Sequence, residues 1–100
     1  MTISAQNILA ATDKIGRSKI LILGDVMLDE YLFGSVDRIS PEAPVPVVEI
    51  TSTRLLLGGA ANVAANIRSL GDNPILVGTV GSDDAAERVR RLLREKDIEQ

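Results

Sequence analysis

Four consecutive aliphatic residues, Ile20-Leu21-Ile22-Leu23, closed by Gly24-Asp25, constrain the fold of this chain more than any other feature. A half-buried strand alternates apolar and polar residues, whereas an unbroken apolar run predicts a strand covered on both faces, as in a parallel sheet. The run is too short for a buried helix. A second apolar stretch, Ile75 to Val80, follows Pro74 and ends at Gly81. Between the two, Ala60, Val63, Ala64, Ile67 and Leu70 recur at helical spacing, with Gly58-Gly59 ahead of them and Gly71 as a stop signal. Parallel strands need a crossover, usually a helix. The pattern therefore predicts a βαβ unit and an α/β fold.

The flanking segments fit that frame. Ser4 to Ile15 reads as a short amphipathic helix or as a loosely docked arm, since Thr12 and Asp13 weaken the helical signal. Ser82 is placed to cap a last helix running to about Lys96, with Ala85, Val89, Leu92 and Leu93 facing the core and Asp84–Arg88 and Glu87–Arg91 as i,i+4 pairs. Asp29 to Thr53 differs in character, with Gly34, Pro41, Pro44 and Pro46 between extended pieces near Tyr31–Phe33 and Val45–Ile50. It predicts two strands of a small accessory sheet, residues 30–54, inserted between the first core strand and its crossover helix. A long structureless loop is the competing reading, and such loops are uncommon in compact domains.

Composition excludes several classes of function. The net charge is −3 and the arginines near the C-terminal end are interleaved with acids, so no unbalanced positive face exists for nucleic acid. The absence of His and Cys removes imidazole bases, thiolate nucleophiles and soft-metal sites, while oxygen ligands for Mg2+ remain. Met1 to Asp13 shows no positively charged leader, and no apolar run is long enough to span a bilayer, so a cytoplasmic protein with no membrane partner is expected. There is no Walker A loop and no Gly-x-Gly-x-x-Gly after the first strand.

Ligands of open α/β sheets bind beyond the carboxyl ends of the strands. Asp25 and Asp29 follow the first strand, Gly58, Gly59 and Asn62 begin the crossover helix, and Gly81 and Ser82 follow the second strand. A diglycine before a helix lets backbone approach a ligand and presents free N–H groups, although a glycine pair alone more often marks a plain turn. Asp29 can accept hydrogen bonds from adjacent hydroxyls of a polyol, or form a turn. Asp25, directly after Gly24, fits a turn better. Asn62 can bond a hydroxyl through its amide or cap local backbone groups. Asn66, one turn on, reads as structural or exposed. Arg38 can pair with an anionic group or face solvent.

Gly58-Gly59-Ala60-Ala61-Asn62-Val63-Ala64, with Gly71 and Gly81 at their spacing, resembles the first signature of the ribokinase-like (PfkB-type) carbohydrate kinases over 24 residues. Gly24-Asp25-Val26-Met27-Leu28-Asp29 resembles that family's first strand and its sugar-binding aspartate. The stretch Val36 to Val48, with Arg38-Ile39-Ser40-Pro41-Glu42-Ala43-Pro44, is similar to the branch that acts on heptose 7-phosphate on the way to ADP-heptose and lipopolysaccharide core. The resemblance runs from Lys19 to the last residue.

The resemblance implies a three-layer α/β sandwich with a small β-sheet lid, residues 1–100 forming the amino-terminal part of a single kinase domain. It implies ATP with Mg2+ as the phosphoryl source, a sugar phosphate substrate, and a homodimer formed through the lid. Asp29 and Asn62 would bind sugar hydroxyls, the Gly58-Gly59 backbone would line the sugar site, and Arg38 becomes a candidate for the substrate phosphate. The family's Gly-Ala-Gly-Asp segment, which supplies its catalytic base, is not among these residues, so no catalytic residue is assigned and the hundred residues alone are expected to be inactive. The rival readings are a kinase for another sugar or nucleoside, and a non-catalytic binding or dimerisation module.

Overall fold

In a computed structural model the described residues are 3–100; Met1 and Thr2, the start of the stretch read above for a leader, lie outside them. In chain order the elements are α1 (Ala5–Thr12), β1 (Lys19–Leu23), β2 (Val26–Ile39), β3 (Pro46–Gly59), α2 (Ala60–Ser69), β4 (Asn73–Val77) and α3 (Asp84–Glu95). β1 and β4 pair in parallel, with Ile20 opposite Pro74 and Leu23 opposite Val77. α2 is the crossover between them, as its 3.6-residue apolar period predicts. Pro74 lies inside β4 rather than ahead of it. Leu76 N–H donates to the Glu99 carbonyl, on the side away from β1. By the alternation of a strand, the donor that Pro74 lacks would point the same way, so no bond to β1 is lost.

One face of this sheet carries the core. Leu76 packs with Ala61 and Ala64 of α2, Val89 and Leu93 of α3, Leu57 and Ile98. Ala61 and Ala64 are 0% exposed, which lets the α2 backbone lie close against the strands. The opposite face is open: Leu21 is 67% and Leu23 78% exposed. The expectation of a strand covered on both faces is thus met on one face only, because Ala61, Ala64, Val89 and Leu93 bring both α2 and α3 to the same side. The short helix expected there is present as α1, an exposed arm that buries no residue. Asp72 fastens the chain behind that arm: its buried carboxylate accepts from the N–H groups of Gly16 (2.8 Å) and Ser18 (3.0 Å).

β2 and β3 form one antiparallel hairpin with 14 residues in each strand. Both strands are far longer than the extended pieces expected from the sequence. Val26 already pairs with Gly59, so the ladder starts two residues after β1 and runs to the first residue of α2. Alternation is visible only near the base, where Val26 and Leu28 turn inward. Further out Tyr31, Leu32, Phe33, Val36 and Ile39 are exposed, with no second layer to impose a pattern. A strand of that length extends about 45 Å. The radius of gyration is 19.6 Å, against about 13 Å for a compact chain of this length, which the projecting hairpin explains.

α3 is capped by Asp83, not Ser82: the Asp83 carboxylate accepts from Ala86 N–H at 2.9 Å, the reach of an extended N-cap residue to the third helical position. Val89, Leu92 and Leu93 face the core as expected, with Ala86 rather than Ala85 buried beside them. The expected i,i+4 pairs are replaced by Glu87–Arg90 (2.7 Å) and Arg91–Glu95 (3.8 Å). The helix ends in a Schellman motif. Asp97 has a positive φ of 55°, Ile98 N–H donates to Leu93 and Asp97 N–H to Arg94, and Ile98 and Leu93 close the turn inside the core. Beyond it, Glu99 pairs in parallel with Ile75, on the edge of β4 away from β1.

Two stability predictions follow from this packing. Replacing Asp72 with Ala removes both charge-assisted hydrogen bonds, leaves the exposed Gly16 and Ser18 N–H groups to water, and is expected to lower stability by about 1 kcal/mol in urea titration. Ala64→Leu forces a larger side chain between α2 and β4 and should cost about 1–3 kcal/mol by the same measurement.

Candidate functional site

The site is built where three elements meet without loops between them. β3 runs directly into α2, so the Gly58-Gly59 pair is at once the end of a strand and the start of a helix. Gly59 is the N-cap, with φ 56° and ψ −134°, a conformation that excludes side chains, and no side chain caps the helix. The first helical N–H, of Ala60, instead donates to the backbone carbonyl of Asp25 at 2.8 Å. A methyl group on Gly59 would lie 2.4 Å from that carbonyl oxygen. Asp25 therefore acts through its backbone, in keeping with the turn role, and its side chain is exposed.

Asp29 is brought to the diglycine by the hairpin register. It pairs with Leu56 across the ladder, and Met27 pairs with Gly58, so Asp29 and Gly58 are diagonal neighbours. A methyl group on Gly58 would lie 2.6 Å from Asp29 Oδ2. The carboxylate thus covers the Cα of Gly58, and only glycine leaves it room. Asn62, one turn into α2, lines a cleft of about 310 Å³ together with Asp29, Tyr31, Asn66, Ser69 and Lys96. That volume is at the lower end of the range for small-molecule sites, ~300–1,000 Å³. A carboxylate, a carboxamide and a phenol around it form a donor and acceptor set for hydroxyl groups.

Asp29 and Asn62 therefore line one cleft; Gly58 lies beneath the Asp29 carboxylate, and neither Gly58 nor Gly59 is part of the cleft lining. Arg38 does not join them within this chain. It lies nine residues further along β2, about 30 Å of strand, and lines a separate cavity near the hairpin tip with Asp37, Val47, Val48 and Glu49. Tyr31, Ser69 and Lys96 were not singled out from the sequence, and Asn66 was read as structural or exposed. A readable signal for part of this exists: Asn62, Asn66 and Ser69 fall at i, i+4 and i+7, a polar stripe on α2 distinct from its Ala61 and Ala64 face. Nothing local in sequence marks Lys96, which arrives through the packing of α3. Among the described residues no three carboxylates converge to hold a metal ion, so no step through Mg2+ is assigned to them.

Residues 17–100 match the model of the pfkB family of carbohydrate kinases. A protein of Bordetella bronchiseptica named D-beta-D-heptose 7-phosphate kinase is 51% identical over 86 residues, covering 86% of this chain and 28% of that protein. Proteins named bifunctional protein HldE are similar as well: that of Granulibacter bethesdensis is 60% identical over 76% of this chain and 16% of its own length. The one from Caulobacter vibrioides is 53% identical over 74% of this chain and 15% of its own length. The chain thus spans less than a third of the curated relatives it matches. The family match covers the hairpin, the diglycine and both core strands, and the chain belongs to the pfkB family of carbohydrate kinases.

Proposed function

We propose that this chain supplies the sugar-binding part of a kinase that transfers the γ-phosphoryl group of ATP to the anomeric hydroxyl of D-glycero-D-manno-heptose 7-phosphate, for ADP-heptose and lipopolysaccharide core synthesis. The observation that carries the reading is the Asp29 carboxylate lying on Gly58 in a cleft shared with Asn62. The names of the relatives support the substrate. The complete domain, on this reading, is a ribokinase-like three-layer sandwich in the cytoplasm. Its nucleotide site and its catalytic base come from residues outside this chain.

The part played by these residues is positioning. Phosphoryl transfer gains little from covalent chemistry with the protein and much from alignment of the acceptor hydroxyl and stabilisation of charge. Asp29 accepts from adjacent sugar hydroxyls, fixing the ring about an axis. The Asn62 amide can donate to one hydroxyl and accept from another. The uncapped N-terminus of α2 puts a positive dipole end beside the sugar, suited to negative charge developing on its oxygen. The hairpin is the lid of this proposal. Its exposed Tyr31, Leu32, Phe33 and Val36 and its unpaired edges would be covered by the hairpin of a second copy, giving a homodimer. In such a dimer Arg38 could approach a neighbour's substrate; within one chain it does not reach the cleft.

Three outcomes test this in the full-length protein. Asp29→Asn removes a charged acceptor and should lower kcat/KM for the sugar about 10- to 100-fold. Gly58→Ala should displace the Asp29 carboxylate and raise the sugar KM with little change in melting temperature, whereas Gly59→Ala, meeting backbone at a positive φ, should lower the melting temperature. A panel of heptose 7-phosphate, ribose, fructose and nucleosides should give the highest kcat/KM for the heptose phosphate. Preference for a sugar without a phosphate rejects the heptose assignment.

A further inference from the structure

The cleft holding Asp29 and Asn62 extends along α2, and its far end is chemically different from its near end. From Asn62 to Ser69 is seven residues of helix, ~10 Å. The near end carries the Asp29 carboxylate, and the far end carries Lys96. Lys96 is located there by two independent features. Arg68 of α2 forms an ion pair with Asp97, which sets residues 96 and 97 beside the last turn of that helix. The Schellman motif, anchored by buried Ile98 and Leu93, fixes the backbone on which Lys96 stands. Lys96 has no ion-pair partner among the described residues, a property it shares with most of the chain's cations; its place in the cleft is what distinguishes it.

The neighbouring groups narrow the ligand. The Asn66 side chain makes no hydrogen bond among the described residues, so its amide is free to donate into the cleft. The Ser69 hydroxyl is committed, donating to the Asn66 carbonyl at 2.7 Å, and leaves only acceptor capacity. An ammonium and an amide N–H2 form a donor pair for an anion. To reach this end, a monosaccharide whose hydroxyls lie on Asp29 and Asn62 would have to direct its exocyclic tail along α2, toward the amino edge of the sheet where Arg68 meets Asn73 and Asp97. We propose that Lys96, assisted by Asn66, binds the phosphate monoester at the tail of the sugar substrate and makes this cleft selective for a phosphorylated sugar. The assignment rests on the sugar cleft proposed above and adds a specificity residue on α3 to it. The plainer role for Lys96 is a cation favourable at the C-terminus of α3; that role contributes to stability and not to ligand choice.

Titration calorimetry on the full-length protein without ATP separates the two roles, using heptose 7-phosphate and the same heptose without phosphate. Lys96→Ala is expected to weaken the phosphorylated sugar about tenfold, to leave the unphosphorylated sugar and the melting temperature unchanged, and to be largely rescued by Lys96→Arg. Asn66→Ala should act in the same direction, more weakly. Equal weakening of both sugars, no change in either, or a lowered melting temperature alone overturns the inference. So does loss of phosphate preference in Arg38→Ala but not in Lys96→Ala. Weaker ATP binding in Lys96→Ala, measured separately, would assign the residue to the nucleotide instead. Asp29→Asn serves as the control. If it weakens both sugars while Lys96→Ala has no selective effect, the cleft stands and only the Lys96 assignment fails; if it weakens neither, the cleft reading itself fails.

Discussion

The rest of the structure depends on the hydrogen bond from Ala60 N–H to the Asp25 carbonyl, made beside Gly59, whose positive φ and contact with that carbonyl leave no room for a side chain. A helix needs partners for its first N–H groups, and these usually come from a side chain at the N-cap. Gly59 offers none. The acceptor is instead the turn that joins β1 to β2, so the end of the core strand, the base of the hairpin and the start of the crossover helix are tied together by backbone alone. Side chains are thereby kept out of the junction, and the Asp29 carboxylate occupies the space above Gly58. The same absence of side chains that closes the backbone junction opens the space in front of it for a ligand.

The junction also explains why two unlike substructures behave as one. The parallel pair β1–β4 with α2 and α3 is a conventional, aliphatic, one-sided core in which small residues on α2 permit close approach. The hairpin has almost no core of its own beyond its first few pairs. Isolated two-stranded ribbons are marginal in water. This one is held by its continuity with β1 at one end and α2 at the other, and by Leu57 and Leu28, which reach into the core beneath it. An element rooted at the site and free at its tip is suited to covering a bound ligand, the role that the proposed function gives it.

The sequence made the core legible and left the margins obscure, for physical reasons. Ile20 to Leu23 and the Ala60–Leu70 period mark β1 and α2, although within this chain Leu21, Leu23, Val63 and Leu70 of those patterns are exposed and Ala61, outside the period, is buried. The hairpin was seen as extended but at a fraction of its length, since Leu32, Val36 and Ile39 face no layer that would enforce alternation. The cap of α3 was placed on Ser82 because Ser and Asp are both good caps, and only the extended backbone of Asp83 decides between them. Within the proposed site, the hairpin register brings Asp29 to Gly58, and Asn62 follows closely on α2. Lys96 is 34 residues beyond Asn62, and only the docking of α3, invisible to local patterns, puts it in the same cleft.

That docking gives the cleft a polarity, and electrostatics indicates what a substrate must look like to use it. Asp29 favours hydroxyl groups and disfavours a nearby anion. A phosphate beside it would be repelled: two like unit charges 4 Å apart at an effective dielectric of about 20 interact by about 4 kcal/mol. Moved along α2 by the ~10 Å that separates Asn62 from Ser69, the repulsion falls below about 2 kcal/mol per unit charge at the same dielectric, and at the Debye length of physiological salt it is screened further. A site that must hold a polyol by a carboxylate and also accept an anionic tail therefore has to separate the two functions by roughly the length of a hexose or heptose. On the proposed reading α2 is the ruler that does so: its amino end would present the hydroxyl-binding groups, its carboxyl end meets the α3 terminus that carries Lys96, and the Arg68–Asp97 pair keeps the second in place against the first.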